Sequence, residues 1–527
     1  MAGLIATLVI ALLVGGGFVG LVQLAGEIPI AAELSRPYTL SIIRFTIWQA
    51  LLSTLFSIAL AIPLARALHR RQRFFGRQLI IRLTSISLIV PTMVAILGII
   101  AVHGRQGWVN DLLQIAGFQR KDYLYGINGI LIAHVFFNLP LVTRLLLNGL
   151  GEIPLYQWKL AHLYGFTPTQ VFRLVEWPAI RVLLPGAAGI VFLLCFTSFA
   201  IVLSLGGGPR STTLEVAIYQ AVRFDFDLGK AVALSLIQMT LCLGLALLFF
   251  SRKTDLGIHA DQQAISGRPY QDPQQGKLID SLVLFVLALF LLSPFAAALV
   301  KTFGSKGWSI VGSETFWSAL RSSLLISISA GLVSTLLALA IAHTVSTLRQ
   351  RRTLKWLGTA PEIIGMLTLM MPPITLGTGL FLLLRNFTDA LSMGHLLVIV
   401  INAIFTLAFA IRILVAPMQQ QSARFDLLNQ SLGISGVNRW RLVFWPTMKK
   451  PVCYALAVST TLSAGDMGVI ALFGTDRLST LPLLIYRLLG NYRLEQAAVV
   501  AVCLCTLCLM LFWIIESIPR LSGRRHA

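Results

Sequence analysis

Residues 159–178 read Lys-Leu-Ala-His-Leu-Tyr-Gly-Phe-Thr-Pro-Thr-Gln-Val-Phe-Arg-Leu-Val-Glu-Trp-Pro, and residues 427–446 read Leu-Leu-Asn-Gln-Ser-Leu-Gly-Ile-Ser-Gly-Val-Asn-Arg-Trp-Arg-Leu-Val-Phe-Trp-Pro. Both copies hold a Gly (Gly165, Gly433), nine further residues, then Val-x-Trp-Pro. A Gly after an apolar helical stretch predicts a tight turn in a backbone region that side chains disfavour. The residues beyond it, 166–174 and 434–442, read as a short amphipathic element. The Trp then sits at a membrane interface, and the Pro opens the next span.

The doubling extends outward. Ser53-Thr54-Leu55 matches Ser334-Thr335-Leu336, and Pro91 with Gly98 matches Pro372 with Gly379, all at an offset of 281. Arg144 matches Arg412, Gly165 matches Gly433 and Leu205-Gly206 matches Phe473-Gly474 at 268, so one deletion of 13 residues separates the two registers. The chain is a tandem repeat.

Composition says what solvent the repeat lives in. Of 527 residues, 56% are hydrophobic and 12% charged, about half the charge of a soluble domain. Apolar runs of spanning length fall near 2–25, 40–65, 79–102, 127–149, 183–205 and 228–251, then 278–300, 316–345, 363–384, 395–416, 452–473 and 497–518. The expected fold is an all-α integral membrane protein with about 12 transmembrane helices in two parallel six-helix repeats. The repeats are assigned to 1–251 and 281–527, with coupling loops at 152–180 and 420–450. A linker at 252–280, rich in Gln, Asp, Gly and Pro, joins them. The N-terminal run lacks a basic segment before it and reads as an uncleaved first helix.

The net charge of +21 sits in short connectors, foremost Arg66, Arg70, Arg71, Arg73, Arg77 and Arg82. That distribution points to membrane orientation rather than nucleic acid, with both termini cytoplasmic. Cys195, Cys242, Cys453, Cys503, Cys505 and Cys508 lie in apolar runs and read as core residues. No metal site or cofactor is expected. Gly229-Lys230 and Gly276-Lys277 lack the rest of a phosphate-binding loop, so any ATP chemistry belongs to a partner.

The doubled motif resembles the EAA loop of ABC importer permeases, whose pattern is Glu-Ala-Ala-x3-Gly-x9-Ile-x-Leu-Pro. The resemblance implies the type I importer permease fold and ATPase coupling through Lys159, Ala161, Gly165, Val175, Trp177 and Pro178, and through Asn429, Gly433, Val443, Trp445 and Pro446. The family's Glu is Lys159 in one copy and Leu427 in the other, so no salt bridge from that Glu carries over. Arg105–Trp108, Ala133–Pro140, Phe172–Pro178, Val202–Pro209 and Glu215–Gln220 are similar to the fused permeases of bacterial thiamine importers. That resemblance implies an inner-membrane protein, not an enzyme, that imports thiamine and its phosphate esters. Its partners would be a periplasmic binding protein and a homodimeric cytoplasmic ATPase.

Four residues are candidates for a substrate path. His134 and Asn138 lie one turn apart in the fourth span, a spacing that equally suits interhelical hydrogen bonds. Asp466 is the only acid well inside a predicted span, and its repeat partner is Ser198. A carboxylate there should face a wet cavity or a partner. Two other readings stand beside this one: the same mechanism with ferric iron or another small solute, and a major-facilitator-type secondary transporter.

Overall fold

The computed structural model describes residues 2–25, 30–72, 74, 76–86, 90–250, 274–304, 307–350, 368, 372–384, 393–434, 436–475 and 478–523. Most of the linker and the first part of the ninth run, 363–384, lie outside these residues.

The first repeat runs α1 (Ala2–Ala25), α2 (Ile30–Ser35), α3 (Pro37–Arg70), α4 (Arg77–Ile86), α5 (Thr92–His103), α6 (Trp108–Ile115) and α7 (Ile127–Gly151). It continues with α8 (Leu155–Leu163), α9 (Pro168–Val171), α10 (Trp177–Phe196), α11 (Ala200–Leu205), α12 (Leu214–Arg223) and α13 (Leu228–Phe250). The second repeat holds α14 (Gln274–Lys301), α15 (Glu314–Gln350), α16 (Pro373–Leu384), α17 (Gly394–Ser431) and α18 (Gly436–Arg439). After these come α19 (Trp445–Gly465), α20 (Gly468–Phe473), α21 (Leu481–Gly490) and α22 (Leu494–Gly523). Among the described residues 10 helices are long and apolar enough to cross a membrane.

Among the described residues three of the expected runs, 79–102, 183–205 and 452–473, are not single helices. The run 79–102 is split into α4 and α5, with Pro91 in extended backbone as the N-cap of α5. Its repeat partner Pro372 likewise precedes α16. A proline disfavours helix in the residue before it and cannot donate backward, so the helix restarts there. The 12 residues of α5 rise about 18 Å, too short for a hydrocarbon core of about 30 Å.

The main packing in each repeat is the same trio, α3 with α7 and α10, and α15 with α17 and α19. The outermost helices trade places. α1 packs on α16 and α15 of the second repeat, while α14 packs on α5 and α3 of the first. Gly98 and Gly379 mark these two crossings. A Cβ on Gly98 would lie 2.3 Å from the Pro294 carbonyl oxygen, and one on Gly379 would lie 2.1 Å from the Gly17 oxygen. The repeated glycine is therefore where each half admits the first helix of the other, backbone against backbone.

The segments after the fifth and eleventh spans fold inward. Leu214 N, at the start of α12, donates to Thr46 Oγ1 at 3.1 Å, and Leu481 N, at the start of α21, donates to Ser323 Oγ at 2.9 Å. Each bond satisfies a helix-end donor that has no partner within its own helix.

Candidate functional site

Gly165 and Gly433 have φ of +61° and +65°. Each closes the helix before it. Phe166 N donates to Ala161 O at 3.0 Å, and Ile434 N donates to Asn429 O at 2.9 Å. These are the six-residue closing bonds of a Schellman cap, with Gly in the left-handed position. Ala161 is buried beneath its loop. Asn429 is buried too, and its Nδ2 has no hydrogen-bond partner among the described residues. Lys159, at the place of the family's Glu, is exposed.

The expected short amphipathic element is built from two kinds of helical turn. One α turn, α9 or α18, leads into five residues of π-helix, Phe172–Glu176 and Trp440–Phe444. Trp177 N donates to Phe172 O and Trp445 N donates to Trp440 O, each five residues back. The cause is Pro178 and Pro446. A proline has no N–H for the ordinary bond, and its ring presses on the carbonyl four residues earlier, at Leu174 or Leu442. Widening the turn relieves that contact. In the first copy Thr167 and Gln170 form a reciprocal capping box.

The two loops are held differently. Val175 and Glu176 are buried, whereas Trp445 is exposed and Val443 half-buried. Trp440 stacks on Phe444 with ring centroids 4.3 Å apart, while Phe172 lies 5.8 Å from Trp177 and takes Arg66 over its face. Both loops offer apolar side chains outward. Leu163 and Tyr164 are 79% and 75% exposed, Leu432 and Val437 62% and 79%. Exposed hydrophobics clustered in two related copies mark an interaction surface.

His134 Nδ1 lies 2.9 Å from Ser53 Oγ of α3, and Asn138 Nδ2 reaches Cys195 Sγ of α10 at 3.2 Å. The pair thus bridges α7 to both of its packing neighbours.

Asp466 is not within a helix. α19 ends at Gly465, Asp466 is extended with φ −73° and ψ 137°, and α20 starts at Gly468. The carboxylate accepts from Gly468 N at 3.4 Å and Val469 N at 3.5 Å, and the residue is half-buried. The first repeat breaks at the same place, around Ser198, between α10 and α11. Gly465 lies beside the Pro91 break, so interrupted helices of the two repeats meet here.

Sequence reasoning passed over Glu215, which is fully buried on α12 and accepts from Gln238 Nε2 at 3.2 Å. It also passed over Glu176. Its signal was a lone acid in an apolar run, far in sequence from an arginine cluster. Among the described residues, no group of His, Cys, Asp and Glu could hold a metal ion.

Residues 57–255 match the family described as binding-protein-dependent transport system inner membrane component. The chain is 42% identical to the thiamine transport system permease protein of Salmonella typhimurium, over 93% of this chain and 90% of that one. It is 41% identical to the one of Brucella abortus, over 98% and 94% of the two chains. With the one of Haemophilus influenzae the identity is 38%, over 98% and 95%. With all-helical membrane architecture, crossed halves and a doubled loop, the chain belongs to the family of thiamine transport system permease proteins, among the binding-protein-dependent inner membrane components.

Proposed function

We propose that the chain is the membrane-spanning subunit of an ATP-driven importer that carries thiamine and its phosphate esters across the bacterial inner membrane by alternating access. The observation that carries the reading is the doubled loop. Two Schellman caps at Gly165 and Gly433, each followed by a π-helix against Trp-Pro, present two matched apolar surfaces. A homodimeric cytoplasmic ATPase would meet that pair with its own symmetry. The basic connectors support placing the loops and both termini in the cytoplasm. A binding protein then docks at the far side across both repeats. The permease makes and breaks no covalent bond. A major-facilitator mechanism gains no support, since the close relatives are transport-system permeases.

The cargo reading brings Asp466 into the path. Its carboxylate sits at a helix break beside the Pro91 break of the other repeat, half-buried rather than sealed. A thiazolium cation passing a carboxylate in a low-dielectric site is stabilised there. Ser198 offers a hydroxyl at the related break, and His134 and Asn138 hold α7 against α3 and α10 behind it.

The test is uptake of labelled thiamine by liposomes containing the permease and its ATPase, with binding protein added outside. Uptake should require ATP inside. Asp466→Asn keeps the shape and one of the two oxygens that accept from Gly468 N and Val469 N, and should lower uptake about tenfold, the scale of 1.4 kcal/mol. Unchanged uptake by a stably folded Asp466→Asn permease would leave that residue a packing role only. ATP-independent, proton-driven uptake would overturn the importer reading.

A further inference from the structure

Glu176 is fully buried, and its Oε2 lies 2.7 Å from Arg66 Nε and 3.6 Å from Arg70 Nη2. Arg70 Nη1 is in turn 3.6 Å from Asp280 Oδ1, and Arg71 Nη2 is 2.9 Å from Asp280 Oδ2. The Arg66 guanidinium also lies over the Phe172 ring, 4.0 Å from its centroid. Phe172 and Glu176 are the first and last residues of the first π-helix. One charged cluster therefore grips that π-helix at both ends, the end of α3 and the beginning of α14. Asp280 lies in α14, the first helix of the second repeat, which begins at Gln274, inside the stretch 252–280 assigned to the linker.

Stability alone does not call for these charges. A buried ion pair can often be replaced by packed apolar residues at no loss. The second repeat does so: Phe444 stands where Glu176 stands, and Thr347 where Arg66 stands. There Trp440 stacks on Phe444, and the Thr347 hydroxyl bonds the His343 carbonyl of its own helix. The loops are equivalent in backbone and unequal in attachment. The first is tied by charge to a helix of each repeat; among the described residues the second packs Phe444 among apolar residues of α15 and α17 and pairs Arg439 with Asp426 of α17.

We propose that Glu176 is a positioning residue of the transport cycle, clamping the first coupling loop to α3 and, through Arg70 and Asp280, to the entry of the second repeat. A displacement of that loop then moves α3 and α14 together. α14 packs on α5, whose Pro91 end lies beside the Asp466 break, so the clamp leads toward the path. The inference rests on reading the loops as ATPase-docking elements.

The experiment compares thiamine taken up per ATP hydrolysed in liposomes holding the permease and ATPase, with binding protein. For Glu176→Gln the ratio should fall about tenfold while ATPase copurification and basal hydrolysis stay within about twofold of the unmodified complex. The charge exchange Glu176→Arg with Arg66→Glu should restore at least part of the ratio. Glu176→Phe with Arg66→Thr transplants the apolar solution of the second repeat. A purely structural role predicts that this double variant is folded and fully coupled; the clamp predicts it folded and uncoupled, and it decides the matter should Glu176→Gln fail to fold. An unchanged ratio in both variants, or uptake and hydrolysis falling in step, overturns the clamp while leaving the importer reading intact. An unmodified permease that binds no ATPase would take down both.

Discussion

Leucine in place of Gly98 or Gly379 is expected to prevent assembly of the folded permease. The first added carbon at Gly98 would lie 2.3 Å from the Pro294 oxygen and 2.7 Å from its carbonyl carbon. At Gly379 it would lie 2.1 Å from the Gly17 oxygen and 2.8 Å from its carbonyl carbon. These are backbone atoms of a crossing helix, so no rotamer change relieves the contact. α14 or α1 must lift off the other repeat, which should cost about 3–5 kcal/mol or more for each crossing. Thermal melting and size-exclusion of the detergent-solubilised protein check this, with Gly15→Leu as control because nothing lies within 4 Å of its Cβ. Gly98→Leu and Gly379→Leu proteins that stay monodisperse, melting within about 3 °C of the unmodified permease, would contradict the exchanged-helix packing.

Valine at both Gly165 and Gly433 should act the opposite way, leaving the bundle intact and damaging the coupling surface. A Cβ at either position meets nothing within 4 Å, so there is no clash to pay for. The cost comes from φ of +61° and +65°, which a β-branched residue adopts only with strain of about 1–3 kcal/mol. The cap should open, and the π-helix after it should lose its direction. Melting should change little, while ATPase association falls more than about tenfold for the double variant. Asparagine tolerates the left-handed region and should retain most of the association. Normal ATPase stimulation by the double valine variant would refute the assignment of these loops.

The repeat, the class of fold and the doubled loop were legible because each is written locally, in hydropathy or in a motif. Hydropathy reports the solvent around a segment but not whether its backbone is continuous, so the run 79–102 looked like one helix although Pro91 divides it. The same blindness placed Asp466 inside a helix that ends one residue earlier. The match of Gly98 to Gly379 was visible, but its reason was not, since a sequence repeat says nothing about which half a helix packs on. Glu176 read as the variable position of Val-x-Trp-Pro. Its partner Arg66 lies 110 residues away, and no local pattern pairs them. The π-helices follow from Trp-Pro after the fact; a helical period of 3.6 was the simpler expectation.

The central claim is that two related loops dock one ATPase, and photo-crosslinking tests it most directly. Tyr164 and Leu432 are equivalent positions, one residue before each Gly, and both are exposed. A photoreactive residue at either position, in cells making the whole importer, should crosslink to the ATPase with similar yield. The same residue at Phe226 or Tyr492, which the chain reaches only after running the length of α10 or α19, should not. Crosslinks to the ATPase from Phe226 or Tyr492, or from neither loop position, would contradict the account.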